Sequence, residues 1–151
     1  MKIFIDINHP AHVHYFRNFI SEMKLQGHLF CITARNKEVS QVLIEKYQIA
    51  YIDRGKGSKN ILGKIFYMIY DDLKLIYCSL RFRPDLFFSF GSMYASHASF
   101  ILRKPHIICD DTEHSRFQQF LTNPFSSLIF TPKCFRRDFG KNVSIPKNPT
   151  G

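Results

Sequence analysis

Four histidines stand where an apolar, strand-like segment gives way to a polar turn: His9, His12 and His14 after residues 2–7, and His114 after residues 106–109. At a helix start the positive end of the helix dipole favours the neutral imidazole. A neutral imidazole facing a crevice can take a proton from a hydroxyl, and His12 is the candidate for that role. Asn8, His9 and His14 are candidate substrate-binding neighbours. The same side chains equally suit helix capping and loop hydrogen bonds.

A second polar cluster is Asp110-Asp111-Thr112-Glu113-His114. Its carboxylates could act as acid or base, hold sugar hydroxyls or ligate a metal. Asp111 and Glu113 are the catalytic candidates here, and Asp110 and His114 the binding ones. An N-cap with acidic residues in the first helical turn is the competing reading, and the two roles can coexist. Gly91-Ser92 could let a ligand approach the backbone closely, or form a plain tight turn. No G-x-S-x-G surrounds Ser92, so it is not read as a nucleophile. Neither a metal nor a cofactor is expected.

These turns need elements to position them. Residues 2–7, 29–34, 50–53, 86–90, 106–109 and 127–130 read as six short apolar strands. Between them, helices are predicted over about 12–26, 37–47, 60–82 and 93–102, with a further one ending near 121. Gly27 and Pro84 supply stops. Such alternation implies an α/β domain, a Rossmann-like doubly wound parallel sheet in strand order 3-2-1-4-5-6. Ligands then bind beyond the carboxyl ends of the strands, between strands one and four. The loops at that edge are 8–12, 91–95, 110–114 and 131–133. The first of them lacks G-x-G-x-x-G, which disfavours a nicotinamide or flavin dinucleotide.

Composition sets the wider limits. The chain has 151 residues, enough for one domain with its own core. Cys31, Cys78, Cys109 and Cys134 are widely spaced with no C-x-x-C pair, so zinc and thioredoxin-like sites are not expected. The N-terminus is too short an apolar stretch for a signal peptide, and a reduced, cytoplasmic chain is expected. The net charge of +9 could favour nucleic acid, an anionic membrane or phosphate-bearing substrates. No nucleic-acid-binding signature accompanies it, so nucleic acid is not expected. Residues 54–83 and 133–147 hold most of the excess. The predicted helix 60–82 carries Ile61, Leu62, Ile65, Phe66, Ile69, Leu73, Ile76, Tyr77 and Leu80, a broad face whose expected place is against the sheet. Phe66, Tyr67, Met68 and Tyr70 also crowd its other side, so peripheral contact with an anionic membrane, at the inner face, is a second expectation.

Taken together, residues 6–16 (DINHPAHVHYF), Thr33-Ala34-Arg35, Ser89-Phe90-Gly91-Ser92, residues 110–114 and Thr131-Pro132 resemble an uncharacterised prokaryotic family, domain of unknown function 354. The resemblance covers about residues 1–140. That family is similar to the GT-B group of nucleotide-sugar glycosyltransferases and UDP-N-acetylglucosamine 2-epimerases. The resemblance implies two Rossmann-like domains facing a cleft, the amino-terminal one for the acceptor and the other for the nucleotide sugar. His12 falls where the muramyl-lipid N-acetylglucosaminyltransferases carry a histidine after their first loop, although the glycines of that loop are lacking here. Glu113 and His114 fall near polar residues that follow strand five in those enzymes.

Residues 1–140 are thus expected to form the amino-terminal domain and 141–151 an irregular tail at a truncated end. The expected function is the acceptor-side domain of a GT-B-like glycosyltransferase, inactive alone, taking a sugar or lipid-linked acceptor. A separately encoded carboxyl-terminal domain or a homo-oligomer would complete it. The alternatives are a non-catalytic module binding a partner or an anionic surface, and a fragment similar to a UDP-sugar 2-epimerase.

Overall fold

The computed structural model describes residues 1–35, 38–55, 60–110, 116–131 and 143–144. Strand β1 (Lys2–Ile7) leads to helix α1 (Pro10–Leu25), β2 (Leu29–Ala34), α2 (Glu38–Lys46) and β3 (Ile52–Asp53). The long α3 (Ile61–Phe82) follows, then β4 (Leu86–Phe90), α4 (Met93–Ile101), β5 (His106–Cys109), α5 (Arg116–Thr122), β6 (Leu128–Phe130) and β7 (Val143–Ser144). All the strand pairs are parallel, and the sheet order is β3-β2-β1-β4-β5-β6-β7. The order 3-2-1-4-5-6 read from the sequence is therefore present, extended by β7 beside β6. That last strand lies in the stretch expected to be irregular, where Val143 pairs with Ile129.

The alternation of β1 builds both faces of the sheet. Ile3, Ile5 and Ile7 point one way and join Val13, Phe16 and Ile20 of α1, with Ile32 and Ile44. Phe4 points the other way, into Leu75 of α3, Phe87 of β4 and Ala95 and Ala98 of α4. Each of the Ile, Val, Leu and Phe side chains contributes about 1.5–3 kcal/mol on burial. Asp6 shares the second face with Phe4, so the same two-residue period drives a carboxylate into the interior at the carboxyl end of β1.

Two local expectations change. Helix α1 begins at Pro10, two residues earlier than predicted. Proline suits a first helical position because its missing N–H has no partner there anyway. His9 is the cap, its Nδ1 accepting from the Ala11 amide at 3.2 Å. More consequentially, α3 does not lay its broad apolar face on the sheet. Its buried residues are Asp71, Leu75 and Ser79, a narrow stripe at four-residue spacing. Leu62, Phe66, Ile69, Leu73, Tyr77 and Leu80 all face outward. The polar stripe docks because Asp71 finds a buried cation, as described below. Tyr67, expected on the outer side, is half-buried on the inner one.

Candidate functional site

The carboxyl ends of β1, β4 and β5, with α1, α3 and α5, enclose a crevice of about 640 Å³. It opens between β1 and β4, where the strand order reverses, the position that doubly wound sheets use for ligands. Asn8, His9, His12, Gly91 and Asp110 line it, five of the ten site residues read from the sequence.

His12 is the third residue of α1, so its backbone sits in the first turn and its ring reaches across to β4. There it stacks on Phe90, with centroids 4.6 Å apart and planes 19° from parallel. The His9 ring lies 5.8 Å from that of His12. Tyr15 and Phe16 pack on the same Phe90, at 5.0 and 5.3 Å. Phe90 is thus the surface against which the imidazole is held flat. On the opposite side Asp110 is buried and accepts from Gln119 Nε2 at 2.8 Å, while its backbone amide donates to Phe130. Gly91 has φ +56°, in the left-handed region. Its carbonyl accepts from Gln118 Nε2 at 2.6 Å, joining the β4–α4 turn to α5.

Two of the expected binding residues stand elsewhere. Ser92 is buried and does not line the crevice: its hydroxyl caps α4 through the Ala95 amide and donates to Asp6. A serine between a strand end and a helix start has a capping duty that takes precedence. His14, two residues beyond His12, projects from the flank of α1, where helical rotation turns it toward Tyr47 at 3.3 Å. Asp111, Glu113 and His114 lie outside the described residues, as does Thr112, so the capping of α5 does too.

Sequence reasoning did not single out the network beneath the crevice floor. Arg54, just past β3, is 1% exposed. Its Nε lies 3.1 Å from Asp6 Oδ1, its Nη1 donates to Asp71 Oδ2 at 3.0 Å, and its Nη2 donates to Asn8 Oδ1. Tyr94 covers the guanidinium at 4.9 Å. Asp6 is satisfied further by Thr33 Oγ1 at 2.7 Å. One guanidinium therefore ties the ends of β1 and β3 to the middle of α3 and fixes the Asn8 side chain at the crevice wall. The signal lay in β1 itself: a carboxylate inside a buried apolar strand requires a buried partner.

These groups set the electrostatics. Burial pushes the Asp71 carboxyl above its ordinary range, against the pull of Arg54. Burial, with Asp71 second, pushes the Tyr67 phenol up to about 12, so it remains a neutral donor. That hydroxyl is shared between the carbonyls of Gly55 and Arg54, at 3.0 and 3.2 Å. Arg35 lies over the Tyr67 ring at 5.8 Å and gives the wall a cation. The crevice thus combines aromatic surface, neutral donors, a guanidinium and two imidazoles, a lining suited to a polyhydroxylated ligand bearing an anionic group. Among the described residues, no group of three or more His, Cys, Asp or Glu could hold a metal ion.

Comparison with known proteins agrees with this architecture. A curated relative, an uncharacterised protein of Methanocaldococcus jannaschii, is 25% identical over 132 residues, covering 87% of this chain and 39% of the relative. Among solved structures, MurG of Acinetobacter baumannii superposes with a TM-score of 0.75 at 13% identity, covering 97% of this chain and 46% of that one. The UDP-GlcNAc 2-epimerase of M. jannaschii gives 0.70 at 15% identity, covering 87% and 39%. That of Neisseria meningitidis, solved with UDP-GlcNAc bound, gives 0.69 at 16%, covering 87% and 40%. The chain therefore spans less than half the length of these relatives, and it shares the GT-B Rossmann-like fold of one of their two domains. Residues 1–144 match the family described as "Protein of unknown function (DUF354)", and the chain belongs to that family.

Proposed function

We propose that this chain is the acceptor-side domain of a GT-B glycosyltransferase, the nucleotide sugar being held by a second domain across the cleft. The observation that carries the reading is His12, stacked on Phe90 in a crevice at the strand-order reversal. In this reading an acceptor hydroxyl lies against the imidazole. Its oxygen bonds to the anomeric carbon of the sugar, and the bond from that carbon to the nucleotide phosphate breaks. The hydroxyl proton passes to His12, whose ring Phe90 holds in place. Asn8, fixed by Arg54, and His9 orient the acceptor, and Arg35 pairs with an anionic group on it. Asp111 and Glu113 are proposed to bind or polarise further hydroxyls.

The second domain, on the same polypeptide or separately encoded, completes the cleft, since half a cleft cannot align two substrates. Alone, the chain is proposed to bind acceptor without turnover. Ligand-observed NMR on the chain tests this. Saccharides with a phosphate or carboxylate should show contact that Arg35→Ala and His12→Ala weaken, and UDP-sugars no contact that either substitution weakens. Crevice binding by the UDP-sugar alone would sink the acceptor assignment and favour an epimerase-like reading.

A further inference from the structure

We propose that the outer face of α3 docks on an anionic lipid surface, the helix lying in the plane of the interface. Leu62, Phe66, Ile69, Leu73, Tyr77 and Leu80 are between 52% and 73% exposed. Their spacing of three and four residues places them in one stripe, about 27 Å long at 1.5 Å rise per residue. A continuous apolar stripe of this length on a protein surface marks a contact.

Charge identifies the occupant. Both carboxylates of α3 turn inward: Asp71 pairs with Arg54, and Asp72 with His97 at 3.0 Å. The exposed charges of α3 and its end, Lys64, Arg81 and Arg83, are all basic, and Arg81 flanks the stripe next to Leu80. A second copy docked on the same stripe would bring no carboxylate of α3 to these cations. Anionic headgroups supply the missing negative charge. Tyr70 and Tyr77 add amphipathic rings of the kind that sit at headgroup depth. No helix among the described residues is long and apolar enough to cross a membrane, so the contact is one of lying on the surface. The inner side of α3 carries Tyr67 and Asp71 of the crevice, so a bilayer on the outer side stands about 10 Å away, one helix diameter. The inference does not depend on the transfer reaction.

Co-sedimentation of the chain with vesicles tests it. Vesicles of phosphatidylcholine with about a third phosphatidylglycerol should bind it, and phosphatidylcholine alone should not. Arg81→Gln and Arg83→Gln should each weaken binding roughly fivefold. Phe66→Glu with Leu73→Glu should weaken it roughly tenfold or more. Leu25→Glu, on exposed α1 in the opposite layer, should leave it unchanged. No binding, or equal binding to both vesicle types, overturns the proposal. So does a dimer by light scattering that Leu73→Glu splits into monomers, which assigns the face to a second copy.

Discussion

Arg54 Nε lies 3.1 Å from Asp6 Oδ1 with neither side chain exposed to solvent. Asp71 and Asn8 take the other ends of the same guanidinium. Replacing the arginine strands two carboxylates in the interior, a loss of about 3–5 kcal/mol. Arg54→Met should therefore lower the midpoint of urea unfolding by an amount corresponding to that range. Arg54→Lys should recover only part of it, because an ammonium cannot present the fork that reaches Asp6, Asp71 and Asn8 together. Equal stability of the methionine variant and the parent would mean the network is not closed in solution.

Gly91 and Gln118 make a second test. At φ +56° any other residue is strained, by about 1–2 kcal/mol. A Cβ there would also run into the Gln118 amide, which donates to the Gly91 carbonyl. Gly91→Ala should cost about 2–3 kcal/mol in all, summing strain and clash. Adding Gln118→Ala should relieve the clash and leave the strain. A double-mutant cycle reads this as a coupling of about 1 kcal/mol between the two sites. Strict additivity would show that the contact is absent.

His106 gives stability a definite pH dependence. It is fully buried between Ser89 Oγ at 2.9 Å and Ser96 Oγ at 3.3 Å, and burial lowers its pKa from 6.5 to about 3. A group depressed on folding contributes stability that is present above its unfolded pKa and lost as pH falls through the window down to the folded one. Between pH 6.5 and about 3, this histidine alone should cost about 1.4 kcal/mol per pH unit. Asp71, raised by burial, works in the opposite sense, stabilising as it protonates. The difference between His106→Gln and the parent isolates the histidine. Unfolding free energies of the variant should fall less steeply below pH 6.5; parallel curves would refute the assignment.

The sheet was legible because β1 to β6 are short apolar runs separated by helices with clear stops, and handedness leaves few topologies for such a pattern. His9 and His12 were legible because the same argument assigns the β1–α1 turn to the ligand edge. The place of Ser92 was not legible for a local reason: a serine that caps a helix and one that meets a ligand occupy the same turn position. Arg54 went unnoticed because its partners, Asp6 and Asp71, are distant in sequence and meet only once β1 and α3 pack. The helical period of α3 is real, but periodicity cannot say which of two amphipathic faces docks. There a buried ion pair, not apolar area, decided the orientation of α3.

The two nearby histidines of α1 should respond differently to a ligand. His12 stacks on Phe90 inside the crevice, whereas His14 meets Tyr47 on the helix flank. In proton–carbon spectra of the imidazoles, an anionic saccharide should shift the His12 and His9 signals and leave those of His14 and His28 in place. Phe90→Leu removes the flat aromatic support, so the His12 ring should lose its ring-current shift and its response to saccharide should weaken. His14→Ala should change neither. In the two-domain enzyme, His12→Gln should lower kcat by about 10²–10⁴-fold, the usual contribution of a positioned base. Its melting temperature should stay near that of the parent, since the ring is only partly buried. If His14→Ala lowered turnover as much as His12→Gln, the base assignment would fall, because only one of the two rings lines the crevice.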